Sequence, residues 1–143
     1  MLLKLVIAVL VFNIVVTLSG CMSNSKVRTP LANFVLLADV HCEDIATFIS
    51  TRLEAAAFNF RWVDRESKLL MVGPIITKQE SEKTFIAVRE TYYLTIVCLS
   101  ELSIKISGDA IFEGLNPDDE WVEIVDPMLT EEHSIRFLKT LSI

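Results

Sequence analysis

Thr84-Phe85-Ile86-Ala87-Val88-Arg89-Glu90-Thr91-Tyr92-Tyr93-Leu94-Thr95-Ile96-Val97-Cys98 is the stretch on which the fold reading turns. It contains no Gly or Pro and is rich in Thr, Tyr, Val and Ile, residues that suit a pleated surface. One long strand is predicted here, bent near Arg89–Glu90. Strand signals flank it on both sides. After a turn at Leu99–Glu101, Ile104, Ile106, Ala110 and Phe112 alternate with Lys105, Ser107 and Asp109, and Gly108 is the expected bulge. Upstream, Phe58, Phe60 and Trp62 alternate with Asn59 and Arg61. Asp64–Ser67 makes a polar turn, and Lys68–Val72 returns as the hairpin partner. Gly73-Pro74 is expected to stop that strand, and Lys78–Lys83 to form a charged loop.

Helical spacing appears twice outside this block. Ile45, Phe48, Ile49, Leu53, Ala56 and Ala57 recur at i, i+3 and i+4, with Glu43 and Asp44 in the first turn where the helix dipole favours carboxylates. A short apolar run, Asn33–Ala38, precedes this helix as a strand, and Asp39 can cap the helix. Near the end, Asn116–Glu120 turns into a strand over Trp121–Val125, which Asp126-Pro127 breaks. A final helix comes next, with Thr130 as expected N-cap, Ile135, Leu138 and Leu141 as its apolar stripe, and Arg136 and Lys139 toward its far end. The order is β-α-β-β-β-β-β-α. Short strand connections then predict an α+β domain, an antiparallel sheet of five to six strands with two helices packed on one face.

The first 21 residues read differently. Leu5 to Leu18 is almost wholly apolar, interrupted by Asn13 and Thr17, after a single positive charge at Lys4. A transmembrane helix needs about 20 apolar residues to cross roughly 30 Å of hydrocarbon. This run is shorter and ends in small residues, as a cleaved signal does. Its last four residues, Leu18-Ser19-Gly20-Cys21, resemble the lipobox of bacterial lipoproteins: aliphatic, small, Gly or Ala, then Cys. That resemblance implies cleavage between Gly20 and Cys21 and a thioether-linked diacylglycerol on Cys21, with a further acyl chain on the freed amine. Two or more chains anchor firmly, since each buried CH₂ contributes about 0.8 kcal/mol. By likeness to enteric lipoproteins, Met22 after the cysteine implies the outer membrane, periplasmic face. The expected organisation is a signal peptide over 1–20, a lipidated flexible tether over 21–30 and one domain over 31–143. The β-α-β₅-α layout is also similar to the helix-grip class, in which a sheet wraps a C-terminal helix. Small lipoproteins accompanying the outer-membrane β-barrel assembly machinery contain domains of similar layout.

Composition narrows the function classes. Removal of residues 1–20 takes away only Lys4, moving the net charge from −6 to −7. An acidic domain without a Lys/Arg cluster argues against nucleic acid and against anionic headgroups held by charge. Few Gly and Pro and no repeats argue against disorder. Cys42 and Cys98 remain beside Cys21. An exported compartment permits a disulfide between them, and contact is possible but not implied by their positions. Two buried free thiols are the plainer expectation.

Sites of chemistry are sparse. His41-Cys42-Glu43-Asp44 is the densest group of ligand-type side chains, yet adjacent residues entering a helix diverge, and no second His/Cys cluster lies at ligand spacing. His133 sits apart in a helix's first turn. Asp118, Asp119, Glu120, Glu123 and Asp126 form an acidic patch without the calcium-loop pattern, so a solvated turn is expected. No metal or other cofactor is implied. Trp62, Tyr92, Tyr93 and Trp121 are candidates for framing an apolar ligand slot between sheet and helix, although core packing explains them as well. No catalytic fingerprint occurs, so an enzyme is not expected. The reading is a membrane-anchored, non-enzymatic accessory or structural subunit of an envelope complex, with a protein partner. The alternative is a periplasmic module that binds a lipid or small apolar ligand.

Overall fold

The computed structural model describes residue 26, residues 28–78 and residues 84–142. The expected signal peptide over 1–20, with Gly20, and the expected lipidation residue Cys21 lie outside the described residues. The described residues form seven strands and two helices: β1 (Thr29–Pro30), β2 (Val35–Ala38), α1 (Ile45–Ala55), β3 (Phe60–Asp64), β4 (Leu69–Lys78), β5 (Ala87–Ser100), β6 (Ser103–Leu115), β7 (Trp121–Glu123) and α2 (Pro127–Leu141). Every strand pairing is antiparallel. The class is therefore α+β, and from β2 onward the elements keep the order read from sequence. The seventh strand is β1. It lies within the stretch read as a tether, where Thr29 and Pro30 pair with Ala110 and Asp109. None of the described helices is long and apolar enough to cross a membrane.

The sheet is built on the β5–β6 hairpin. The path runs β6-β5-β4-β3, while the other edge of β6 is shared by three short strands. β2 takes residues 103–106, β1 takes 109–110 and β7 takes 113–115. Alternation along β5 separates the faces. Val88, Glu90, Tyr92, Leu94 and Ile96 are buried, and the residues between them are less so. The same face of β6 contributes Ile104, Ile106, Ala110 and Phe112. Against it pack Ile45, Ile49 and Leu53 of α1 and Phe137, Leu138 and Leu141 of α2.

Three local expectations are corrected. Gly73-Pro74 does not end its strand; β4 runs through it as a bulge opposite β5. Proline lacks an amide donor, so a bulge is where a sheet tolerates it, and Gly73 takes φ +112, which L side chains rarely adopt. This register shift lies opposite Glu90–Tyr92 of β5. Gly108 is no bulge, since β6 keeps register with β5 on both sides of it. It permits close approach instead: a Cβ there would lie 1.9 Å from the Tyr93 carbonyl oxygen. At α2 the N-cap is Asp126, four residues before the expected Thr130. Its Oδ1 accepts from the amides of Met128 at 2.9 Å and Leu129 at 3.3 Å. Pro127 at the first helical position needs no amide partner, so Asp-Pro starts this helix, whereas β7 ends earlier, at Glu123 rather than at the expected Val125.

Cys42 and Cys98 are joined in a disulfide, with Cα atoms 5.8 Å apart. The expectation of two free thiols is corrected. The approach to α1 runs beside the β5–β6 turn, where the Cys42 amide donates to the Glu101 carbonyl at 3.0 Å. That backbone bond brings the two cysteines together, which spacing alone did not show.

Candidate functional site

Tyr92 and Tyr93 are consecutive on β5, so their side chains leave opposite faces of the sheet. Tyr92 is fully buried, stacked on Phe137 with ring centroids 3.8 Å apart, and its hydroxyl donates to the His133 carbonyl at 3.1 Å. Burial pushes its phenol well above the ordinary value, and the Glu90 carboxylate beside it adds to the effect. Tyr93 lies on the open face, with the Arg28 guanidinium 4.0 Å from its ring centre. Trp121 lies under the Arg89 guanidinium, at 4.5 Å. Trp62 packs at the edge of the core, its Nε1 donating to Ser50 Oγ at 3.4 Å. The four aromatic residues therefore do not frame one slot, and that expectation is corrected. Strand alternation is the reason, and it separates the two tyrosines before any packing is considered.

Helix α2 brings together residues the sequence reading left apart. His133 is 2% exposed and its Nδ1 meets the Glu90 carboxylate, itself 6% exposed, from β5. The pair fastens the first half of α2 to the long strand. The signal was present in sequence: Glu90 shares the buried phase of Val88, Tyr92 and Leu94, and His133 lies four residues before Phe137, on the same helix face. Next along α2, Ser134 is 1% exposed, and its Oγ has no hydrogen-bond partner among the described residues. Buried hydroxyls are normally paired, so an orphan is a reason to look at what lies beside it.

Beside it is a cavity of about 450 Å³. It opens along the edge of β6, between β1, the end of β7 and the first turns of α2. Pro30, Ala32, Ile124, Val125 and Pro127 supply apolar walls, and Ser134 lines it as the deepest-buried of its residues. Thr29, Thr130, Glu123 and Glu131 complete the lining, which among the described residues includes no Lys, Arg or His. Val125 of that wall, at 89% exposure, and Met128, at 82%, are the most exposed large apolar side chains among the described residues. The size falls within the range of small-molecule sites, about 300–1,000 Å³. The amides of Met128 and Leu129 are already taken by Asp126 Oδ1, and that of Thr130 by the Asp126 carbonyl. The start of this helix therefore offers few donors to an anion.

The open face carries a second polar cluster. Glu113 is 8% exposed although no helix covers it. Lys26 Nζ donates to one carboxylate oxygen at 2.6 Å, and the Arg89 guanidinium meets the other at 2.7 Å. Burial pushes the Glu113 carboxyl up, but the hydrogen bonds and charges of Lys26 and Arg89 outweigh that and hold it below its ordinary value. Of the sequence cluster at the start of α1, Cys42 is committed to Cys98, and His41 Nδ1 lies 3.7 Å from an exposed Glu101 carboxylate. Among the described residues, no three His, Cys, Asp or Glu side chains are placed to hold a metal ion. The acidic turn is organised by Asn116, whose Oδ1 accepts from the amides of Asp118 and Glu120. Its carboxylates remain at the surface.

With this geometry in hand, comparison adds no relatives: no family model matches the chain, and no curated protein matches it in sequence.

Proposed function

We propose that this is an envelope lipoprotein, lipid-anchored through Cys21 after cleavage at Gly20, that serves as a non-enzymatic accessory or structural subunit of an envelope complex. The observation that carries the reading is how the three cysteines divide. One closes a lipobox, and the other two are bonded to each other, as an oxidising exported compartment allows. The start of the domain supports it. Lys26 follows Cys21 by five residue steps. At about 3.5 Å per residue that spans at most about 18 Å, and Lys26 is held to Glu113 on the open face. Anchoring would thus keep the sheet near the bilayer and raise its local concentration beside a membrane partner, where modest contacts suffice. At the other end of that face Leu36, Lys105 and Val97 stand in one cross-strand row, with both apolar members exposed. The outer membrane's periplasmic face and the helix-grip layout belong to this proposal.

The test is mass spectrometry with detergent phase partitioning of the protein made in a bacterium that processes lipoproteins. The wild type should lack residues 1–20, carry acyl mass on Cys21 and enter the detergent phase. Cys21→Ser should carry no acyl mass. An intact leader or unmodified Cys21 refutes the reading. Pull-down with the lipidated form, against Cys21→Ser, then reports the partner.

A second reading, binding of a small apolar ligand, is favoured by one observation. The cavity beside α2 has apolar walls and a buried hydroxyl that nothing in the described protein satisfies.

A further inference from the structure

We propose that the cavity beside α2 takes a primary alkylammonium: an apolar chain against its walls, and an –NH₃⁺ group held between the Glu131 carboxylate and the Ser134 hydroxyl. The inference rests on the apolar-ligand reading and adds the chemical class of the head group.

Three features point the same way. Ser134 and Glu131 are three residues apart on α2, hence neighbours on one helix face, and both line the cavity. The hydroxyl is buried and unpaired among the described residues, so a polar ligand atom there would relieve it. The charge of the lining is wholly acidic, from Glu123 and Glu131. A carboxylate ligand would meet those two groups, and the first amides of α2 are occupied by Asp126. An anion therefore meets like charge, with only hydroxyl donors such as that of Ser134 to receive it. An ammonium has three donors and no acceptor. It can give one to the serine oxygen and another to the carboxylate, while its chain covers Pro30, Ile124 and Val125. A quaternary ammonium, with no N–H, would leave Ser134 unsatisfied.

The experiment titrates octylammonium, octan-1-ol and octanoate at pH 7 into the whole chain carrying Cys21→Ser, which prevents partition of the probes into bound lipid. Amide NMR shifts at Ile124, Val125 and Ser134 give the affinities. Octylammonium should bind about tenfold tighter than octanol, the scale expected of two rim carboxylates together, and octanoate weakest. Ser134→Ala and Glu131→Gln should each weaken octylammonium about threefold or more, and Glu131→Gln should leave octanol unchanged. Both substitutions are tolerated by the fold, since one removes an unpaired group and the other alters an exposed side chain. Equal affinity for octanol and octylammonium, tighter octanoate, or unchanged octylammonium binding in both variants overturns the head-group assignment while the apolar-ligand reading stands. Silence of those amides to all three probes overturns both.

Discussion

Glu90 and Glu113 face opposite sides of the same hairpin and are almost equally buried, at 6% and 8% exposure. They reach that state by different means. Glu90 is covered by α2 and meets His133 inside the core. Glu113 has no helix above it and is covered by Lys26 and Arg89, with Trp121 against the arginine. The difference sets what each pair is worth. A polar group sealed under a helix cannot fall back on water when its partner goes, whereas one sealed by long flexible cations can.

That contrast predicts a steep difference between the faces. Glu90→Leu leaves His133 buried without its partner and should cost about 3–5 kcal/mol, read as the loss of unfolding free energy in urea. The double variant Glu90→Leu/His133→Leu should recover most of it, because apolar replacement of a whole buried pair is often nearly neutral. If single and double variants are equally unstable, the two residues do not act as a unit.

The disulfide comes next in size. Its loop of 56 residues in sequence separation gives about 4 kcal/mol in the chain-entropy picture, with measured values commonly about 2–4. Replacing both Cys42 and Cys98 by Ala should lower the unfolding free energy accordingly. Thiol titration of the native protein should find neither residue reactive, and labelling of either one would show that the covalent tie is missing.

On the open face the effects should be small. Glu113→Gln should cost about 1 kcal/mol or less, since Lys26 is largely solvated. The sign with pH comes from a folded pKa held below the ordinary 4.5. The contribution is fully present above about pH 4.5 and is lost as pH falls through the lower folded value. The gap in stability between wild type and Glu113→Gln should therefore close on acidification below that point. Lys26→Ala should do least, about 0.5 kcal/mol in low salt and less in 0.5 M NaCl. A loss as large as that of Glu90→Leu would erase the distinction between the faces.

Much of the fold was legible beforehand because period and capping are local. The 3.6-residue spacing of Ile45, Ile49 and Leu53, the alternation through Tyr92, and the turn residues at Asp64–Ser67 and Asn116–Glu120 each act within a few positions. Their sum fixed the order of elements. Local reading failed where one residue has two uses. Gly73-Pro74 can end a strand or bulge it, and Asp126-Pro127 can close one element or cap the next. The candidate slot failed for a simpler reason, that Tyr92 and Tyr93 were grouped although alternation sets them apart.

By itself, then, the sequence determined the α+β class, the succession of strands and helices from β2 onward, and the Leu18-Ser19-Gly20-Cys21 stretch on which the proposed anchoring rests. Only the tertiary structure decided that Cys42 meets Cys98, that Glu90 meets His133 across 43 positions, and that Ser134 is left unpaired beside a cavity. Periodicity assigns a residue to a face. It cannot say which distant residue shares that face at the same height, because this depends on strand register and on where each helix crosses the sheet.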